Sequence, residues 1–290
     1  MLGPVELVGP NNPAPVTAPR EQIVVVMLLF HANQVVSIKQ LITAIWDDRA
    51  PQTARSQVQI CVSTLRRHLA VAGLEGRVST APAGYSMQAA TEELDLLVFL
   101  NGQAEGQRAA RRGDLESAAR AYRAGLAAWR GEPFAGLTGR MMGTMAVSLT
   151  ERRLSVIEEC ILIELELGRH HEAIGELVTL VAENPLRERL RGQLMLALYR
   201  AGRRPEALSV YRSARQMLVK EMGLEPGKPL QRLHQAILVD AVELRAPGSG
   251  VQEFTSAPRT IANEDFGGYD LNSGSFPDEA SRSDALSQST

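Results

Sequence analysis

The chain has little of what catalytic and exported proteins usually need. Cysteine occurs only twice in 290 residues, at Cys61 and Cys160. Two such distant thiols form neither a metal-ligand spacing nor a disulfide framework, and they fit a reduced compartment. Histidine occurs five times, at positions 31, 68, 170, 171 and 234. His170 and His171 are adjacent, and neighbours on a helix diverge by about 100°, so two solvated rings are expected there and no metal pair. No Gly-rich phosphate loop, nucleophile elbow or zinc spacing is present. Glu158, Glu159, Glu164 and Glu166 lie close together and read as a solvated helix face. With no convergent set of titratable groups, an enzyme is not expected, and neither is a metal or cofactor.

Long apolar runs are also missing. Nothing approaches the roughly 18 residues of a membrane span. The eight residues from Ile23 to Phe30 read as a buried helix. The first residues lack the basic, apolar, small-residue order of a secretory signal, so a cytoplasmic protein with no membrane partner is expected. Neither sign of charge dominates: 31 Lys and Arg stand against 33 Asp and Glu.

What is present begins at Thr53. From there to Leu69, Val58, Val62, Leu65 and Leu69 recur at helical intervals and mark a buried stripe. The opposite face carries Ser56, Ile60, Ser63, Thr64 and Arg67, flanked by Gln57 and Gln59. Solvated helix faces are normally rich in Glu and Lys, yet this one has no acid. Hydroxyls, amides, an apolar side chain and arginines are the groups that read base edges and grip phosphates. Cys61 falls within this helix and is assigned to packing.

The flanking segments give this helix a context. Ser37 to Trp46 precedes it, with Ile38, Leu41, Ile42, Ile45 and Trp46 on one side, and Ser37 and Gln40 have capping-box spacing. The loop Asp47 to Gln52 joins the two helices. A hairpin is expected after the second, with strands Val78–Ala81 and Tyr85–Met87 around a turn at Pro82, Ala83 and Gly84. Helix, loop, helix and hairpin make a winged helix-turn-helix, whose second helix enters the major groove while the hairpin meets the neighbouring backbone.

Residues 1–88 resemble the DNA-binding domain of OmpR/PhoB-type regulators and, more closely, that of the Streptomyces antibiotic regulatory proteins. The resembling stretches are Leu-Gly-Pro-Val-Glu-Leu (2–7), His-Ala-Asn-Gln-Val-Val-Ser (31–37), Leu-Ile-Thr-Ala-Ile-Trp (41–46), Val-Ser-Thr-Leu-Arg-Arg (62–67) and Pro-Ala-Gly-Tyr (82–85). Together with helical angle, the resemblance implies base reading by Gln59, Ile60 and Thr64. It implies backbone contact by Ser56, Gln57, Ser63, Arg66 and Arg67, and by Ser79 and Thr80 of the wing. Ala81 stands where the family's wing usually carries an arginine, so no wing-tip arginine contact carries over. The resemblance further implies an activator of a secondary-metabolite gene cluster. Such an activator binds promoter direct repeats as a side-by-side dimer and recruits RNA polymerase. The Asp47–Gln52 loop, with Asp47, Asp48 and Arg49, would face the sigma subunit or the alpha C-terminal domain.

Residues 91–245 read as all helix, and the segment contains a repeat. Leu167-Gly168-Arg169-His170-His171-Glu172-Ala173-Ile174 returns as Ala201-Gly202-Arg203-Arg204-Pro205-Glu206-Ala207-Leu208, at the 34-residue tetratricopeptide period. Gly113-Asp114-Leu115-Glu116-Ser117-Ala118 starts a divergent third copy. Such helix pairs bury their apolar faces by stacking, which predicts a short solenoid. Pro-Leu-Arg-Glu-Arg-Leu (185–190), Leu-Met-Leu-Ala-Leu-Tyr-Arg (194–200) and Leu-Val-Lys-Glu-Met-Gly-Leu-Glu-Pro-Gly (218–227) resemble the bacterial transcriptional activator domain. Residues 246–290 are polar, with two basic against seven acidic residues, and a disordered tail is expected.

The expected fold class is therefore an α+β winged helix-turn-helix at residues 1–88, an all-α tetratricopeptide-like solenoid at 91–245, and the tail. Residues 1–90 hold seven Lys or Arg against five acids, a net of only +2. A single protomer should bind nonspecific DNA modestly, which favours binding in pairs. The alternative is a tetratricopeptide-type adaptor whose N-terminal domain binds protein. The acid-free helix face disfavours it, and a salt-dependent gel shift separates the two.

Overall fold

The computed structural model describes residues 1–10, 13–14 and 16–244. The expected tail lies outside the described residues. Strand β1 (Leu7–Val8) pairs antiparallel with β2 (Pro13–Ala14). Helix α1 (Pro19–Phe30) starts on a proline and buries Ile23 to Leu29. From Ile23 onward it is apolar on every side, as a helix running through a core must be, while its first turn carries Arg20, Glu21 and Gln22.

Strand β3 (Val36–Ser37) runs directly into helix α2 (Ile38–Trp46). The capping box forms as its spacing predicts. Ser37 Oγ accepts from the Gln40 amide at 3.2 Å, and Gln40 Oε1 accepts from the Ser37 amide at 2.8 Å. Helix α3 (Ala54–Val71) follows, then strands β4 (Val78–Ala81) and β5 (Gly84–Met87). The sheet order is β3-β5-β4, all antiparallel. The expected three-residue turn needs correction. Ala81 pairs with Gly84, so Pro82 and Ala83 alone make the turn. Gly84 belongs to the strand because β3 passes over it: a Cβ there would lie 1.9 Å from the Val36 carbonyl oxygen.

A 3-10 turn (Thr91–Glu93) leads to seven helices: α4 (Asp95–Arg111), α5 (Leu115–Leu126), α6 (Arg140–Glu166), α7 (His170–Glu183), α8 (Glu188–Arg200), α9 (Arg204–Met222) and α10 (Lys228–Leu238). The three repeat copies turn in the same way. Gly113, Gly168 and Gly202 have φ of 76°, 80° and 75°, a left-handed conformation that favours glycine. The residue after each closes a long bond: Asp114 N to Ala109 O at 3.1 Å, Arg169 N to Glu164 O at 2.9 Å, and Arg203 N to Leu198 O at 2.8 Å. This is the Schellman helix end, and Gly73 closes α3 in the same way, with φ of 76° and Leu74 N bonded to Leu69 O at 2.8 Å. Helix α8 is buried from Leu190 to Tyr199, so the solenoid closes around it.

Two apolar clusters hold these elements. One contains Leu41, Val58, Leu65 and Leu69 of the winged helix together with Phe99, Tyr122, Met142 and Leu149. It runs across the boundary between the two regions of sequence. Backbone bonds tie the first residues to the α5–α6 connection: the Arg130 amide donates to Leu2 O at 2.7 Å and the Phe134 amide to Met1 O at 3.1 Å. The second cluster contains Ile161, Leu177, Met195 and Leu233.

The acids of α6 do not form a solvated face. Glu158 is 3% exposed and Glu164 is 9% exposed. Glu158 accepts from Arg187 at 2.7 Å, and Glu164 accepts from Arg123 at 2.6 Å. Their burial is compensated by arginines, Arg123 from α5 and Arg187 from just before α8, as desolvated carboxylates require. Cys160 lies among them, its thiol pushed up to about 12 by burial, with Glu164 adding to the effect.

Candidate nucleic-acid interface

Helix α3 presents its hydrophobic stripe inward. Val58, Val62, Leu65 and Leu69 are buried, together with Ala54 and Cys61. Burial raises the Cys61 thiol pKa, with Glu21 contributing, as suits a packing residue. At about 100° per residue, the exposed arc runs from Arg55 through Arg66, Gln59, Ser63, Ser56 and Arg67 to Ile60. Ile60 is 63% exposed, so it does not pack under α2. Among the described residues, Arg55 and Arg67 have neither a hydrogen-bond partner nor an ion-pair partner. Gln57 and Thr64 are half-buried at one edge of the arc.

The wing borders the other edge, and Arg66 joins it to α3. Arg66 Nε donates to Val78 O at 3.2 Å, and an Nη donates to Thr80 Oγ1 at 2.7 Å. Its guanidinium also lies over the Tyr85 ring at 5.9 Å. Two of the expected backbone contacts, Arg66 and Thr80, thus pair with each other. Ser79 is not part of this group. Successive strand residues face opposite sides, and Val78, Thr80, Tyr85 and Met87 share the inner side, with Val78 paired to Met87 and Thr80 to Tyr85. Ser79 pairs with Ser86 on the outer side. Sequence gave no sign of the Arg66–Thr80 bond, because only the fold brings the two together.

At the Gln57 edge stands a residue missed by the reading of α3. Arg20, from the first turn of α1, donates to Gln57 Oε1 at 2.7 Å and lies 5.2 Å over the Trp46 ring. Gln57 in turn donates to Thr53 Oγ1 at 2.9 Å. Arg20 is exposed.

The loop between α2 and α3 is bracketed by the helical region. Arg140, at the start of α6, donates from an Nη to Asp48 at 3.0 Å, and its Nε lies 3.8 Å from Asp47. The Arg140 amide also points at Asp47, at 3.4 Å. Asp47 opens the loop with φ of 51°. Asp48 and Arg49 are exposed, and Arg49 has no side-chain partner among the described residues.

Comparison with known proteins follows the same division. Residues 94–238 match the model of the bacterial transcriptional activator domain, and residues 15–87 match that of the transcriptional regulatory protein C-terminal domain. The chain is 36% identical over 239 residues to the regulatory protein AfsR of Streptomyces coelicolor, covering 82% of this chain and 24% of AfsR. It is 34% identical over 248 residues to the regulatory protein DnrI of Streptomyces peucetius, covering 82% of this chain and 90% of DnrI. A solved structure of Mycobacterium tuberculosis EmbR, in complex with a low-affinity phosphopeptide, superposes with a TM-score of 0.78 at 32% identity. The match covers 83% of this chain and 64% of that one. The chain thus spans about a quarter of AfsR and most of DnrI.

A winged helix with an exposed acid-free helix, joined to a bacterial transcriptional activator domain, defines a class of transcriptional regulator. Within that class the chain belongs to the Streptomyces antibiotic regulatory protein family of transcriptional activators. This is a family of transcriptional regulators. Among the described residues, no helix is long and apolar enough to cross a membrane.

Proposed function

We propose that the chain is a sequence-specific activator that lays α3 in the major groove of promoter DNA. The observation that carries this reading is the outward face of α3, where Arg55 and Arg67 have no internal partner and no acid interrupts the polar surface. Cations left unpaired beside amides and hydroxyls are what phosphate and base-edge contacts require. Gln59 and Ile60 are exposed and suit base reading, a glutamine amide to adenine and an apolar side chain to a thymine methyl. Ser56, Ser63 and Arg67 flank them and suit backbone contact. Arg66 and Thr80 hold the wing beside α3, so they set where the hairpin meets the duplex.

Binding direct repeats as a side-by-side pair fits the modest net charge of residues 1–90. Recruitment of RNA polymerase, through the sigma subunit or the alpha C-terminal domain, is assigned to the loop Asp47–Gln52. Similarity to AfsR and DnrI supports an antibiotic gene cluster as the target. Salt-dependent duplex binding tests the core of this reading. The full chain should retard duplex DNA, with affinity falling steeply as salt rises, and genome-wide mapping should recover repeated sites about one helical turn apart. Absence of any salt-dependent binding would remove it.

A further inference from the structure

A helix lying in the major groove, about 12 Å wide, has a phosphate backbone along each of its flanks. The two flanks of α3 differ in their cations. On the wing side stand Arg55 and Arg66. On the other flank α3 offers only Gln57, Thr64 and His68, all half-buried, and the His68 ring faces Glu21 at 3.6 Å. The α3 guanidinium nearest that flank is Arg67, which stands about 60° away on the exposed arc, so the outer edge of the flank carries no guanidinium from α3.

Arg20 stands at that position. Its exposed guanidinium is fixed by two contacts, the 2.7 Å bond to Gln57 Oε1 and the Trp46 ring at 5.2 Å. No carboxylate among the described residues pairs with it. Gln57 is itself fixed, since its Nε2 donates to Thr53 Oγ1 at 2.9 Å. Thr53, Gln57, Arg20 and Trp46 therefore form one bracket across the starts of α1 and α3 and the end of α2. Gln57 Nε2 is held by Thr53 while its Oε1 holds the guanidinium, and the remaining N–H groups of Arg20 have no partner among the described residues.

We propose that Arg20 is a phosphate-binding residue of the DNA interface, with Gln57 and Trp46 as positioning residues for its guanidinium. The proposal rests on the reading of α3 as the DNA-facing helix. It moves the backbone contact expected of Gln57 onto a residue 37 positions earlier in the sequence.

The test uses the full chain and a random-sequence duplex of about three helical turns, because a phosphate contact is blind to sequence. Affinity is measured from 50 to 200 mM salt for the wild type, Arg20→Gln and Arg20→Lys, with melting temperatures alongside. Losing one phosphate contact lowers the slope of log affinity against log salt by about 0.9. Over that fourfold range of salt, Arg20→Gln should therefore lose about 3.5-fold less affinity than the wild type does. Arg20→Lys should keep the wild-type slope, and neither variant should melt differently. An unchanged slope for Arg20→Gln, even with weaker binding, overturns the proposal, because Arg20 would then act only through packing. A wild type with no salt-dependent binding would instead bring down the reading of α3, and this inference with it.

Discussion

Arg67 and Arg187 lie in the same chain in opposite surroundings. Arg67 stands on the exposed arc of α3 with no partner among the described residues. Arg187, just before α8, donates to Glu158 at 2.7 Å, to Glu151 at 2.6 Å and to Ser155 at 3.3 Å. Its neighbours repeat the pattern. Arg123 bonds both Glu164 and Glu176, Arg169 bonds Glu116, and Arg215 bonds Glu225. These arginines of the helical region are engaged internally by acids, two of which, Glu158 and Glu164, are buried. On α3, Arg55 and Arg67 have no such partner among the described residues, while Arg66 bonds Val78 and Thr80 of the wing. The same residue type thus ties elements together in one region and, under the proposed function, is available to DNA in the other.

The comparison can be broken by matched substitutions. The largest effect is expected for Arg187→Ala. It removes the shortest partner of Glu158, a carboxylate that is 3% exposed, and leaves Arg189 at 3.4 Å as the remaining cation. Removing one member of a buried pair costs about 3–5 kcal/mol. Arg187 is itself partly exposed and Arg189 stays in place, so about 3 kcal/mol is expected in denaturant unfolding. DNA affinity of the folded protein should not change. If it fell as well, the helical region would be coupled to the interface.

Gln59→Ala should come next, at about 1–3 kcal/mol for a cognate duplex with little loss on random sequence. A loss of equal size on both would mean that Gln59 contacts the backbone. Arg67→Ala should leave stability within about 0.5 kcal/mol, as for surface positions generally. It should weaken binding to all duplexes alike and reduce the salt slope by about one. A melting shift like that of Arg187→Ala would erase the contrast between the two regions.

Local signals in the sequence were enough for much of this. The stripe Val58, Val62, Leu65 and Leu69 fixes which way α3 faces, because helical periodicity depends on nothing outside the helix. The Ser37–Gln40 box and the glycine turns at Gly168 and Gly202 are equally local, each closed by bonds within six residues. What stayed hidden depends on distant pairs. Arg20 meets Gln57 across 37 residues, and Arg140 meets Asp48 across 92. A solvated face was expected for Glu158 and Glu164 because their partners Arg187 and Arg123 lie 29 and 41 residues away. Strands β1 to β3 have two residues each, too short for alternation to show, and their partners define them.

The smallest change in affinity is expected at the α2–α3 loop, where activation and binding should separate. Asp48→Ala combined with Arg49→Ala should keep DNA affinity within about 0.5 kcal/mol, while transcription from a cognate promoter falls several-fold. The structure adds a complication, since Asp48 also holds Arg140 at 3.0 Å. That pair is exposed on both sides, at 66% and 79%, and such pairs contribute at most about 1 kcal/mol. Its loss should not unfold the loop, but it could let the loop swing away from α6. Arg140→Ala isolates that effect, because it breaks the bracket while leaving Asp48 and Arg49 in place. Transcription close to wild type in Arg140→Ala, with a several-fold drop in the double variant, would assign activation to the loop's own charges. An equal drop in both would mean that α6 holds the loop in an active position. Full activation by the double variant would reduce the loop to a connector, and polymerase recruitment would then have to come from another surface of the winged helix or from the helical region.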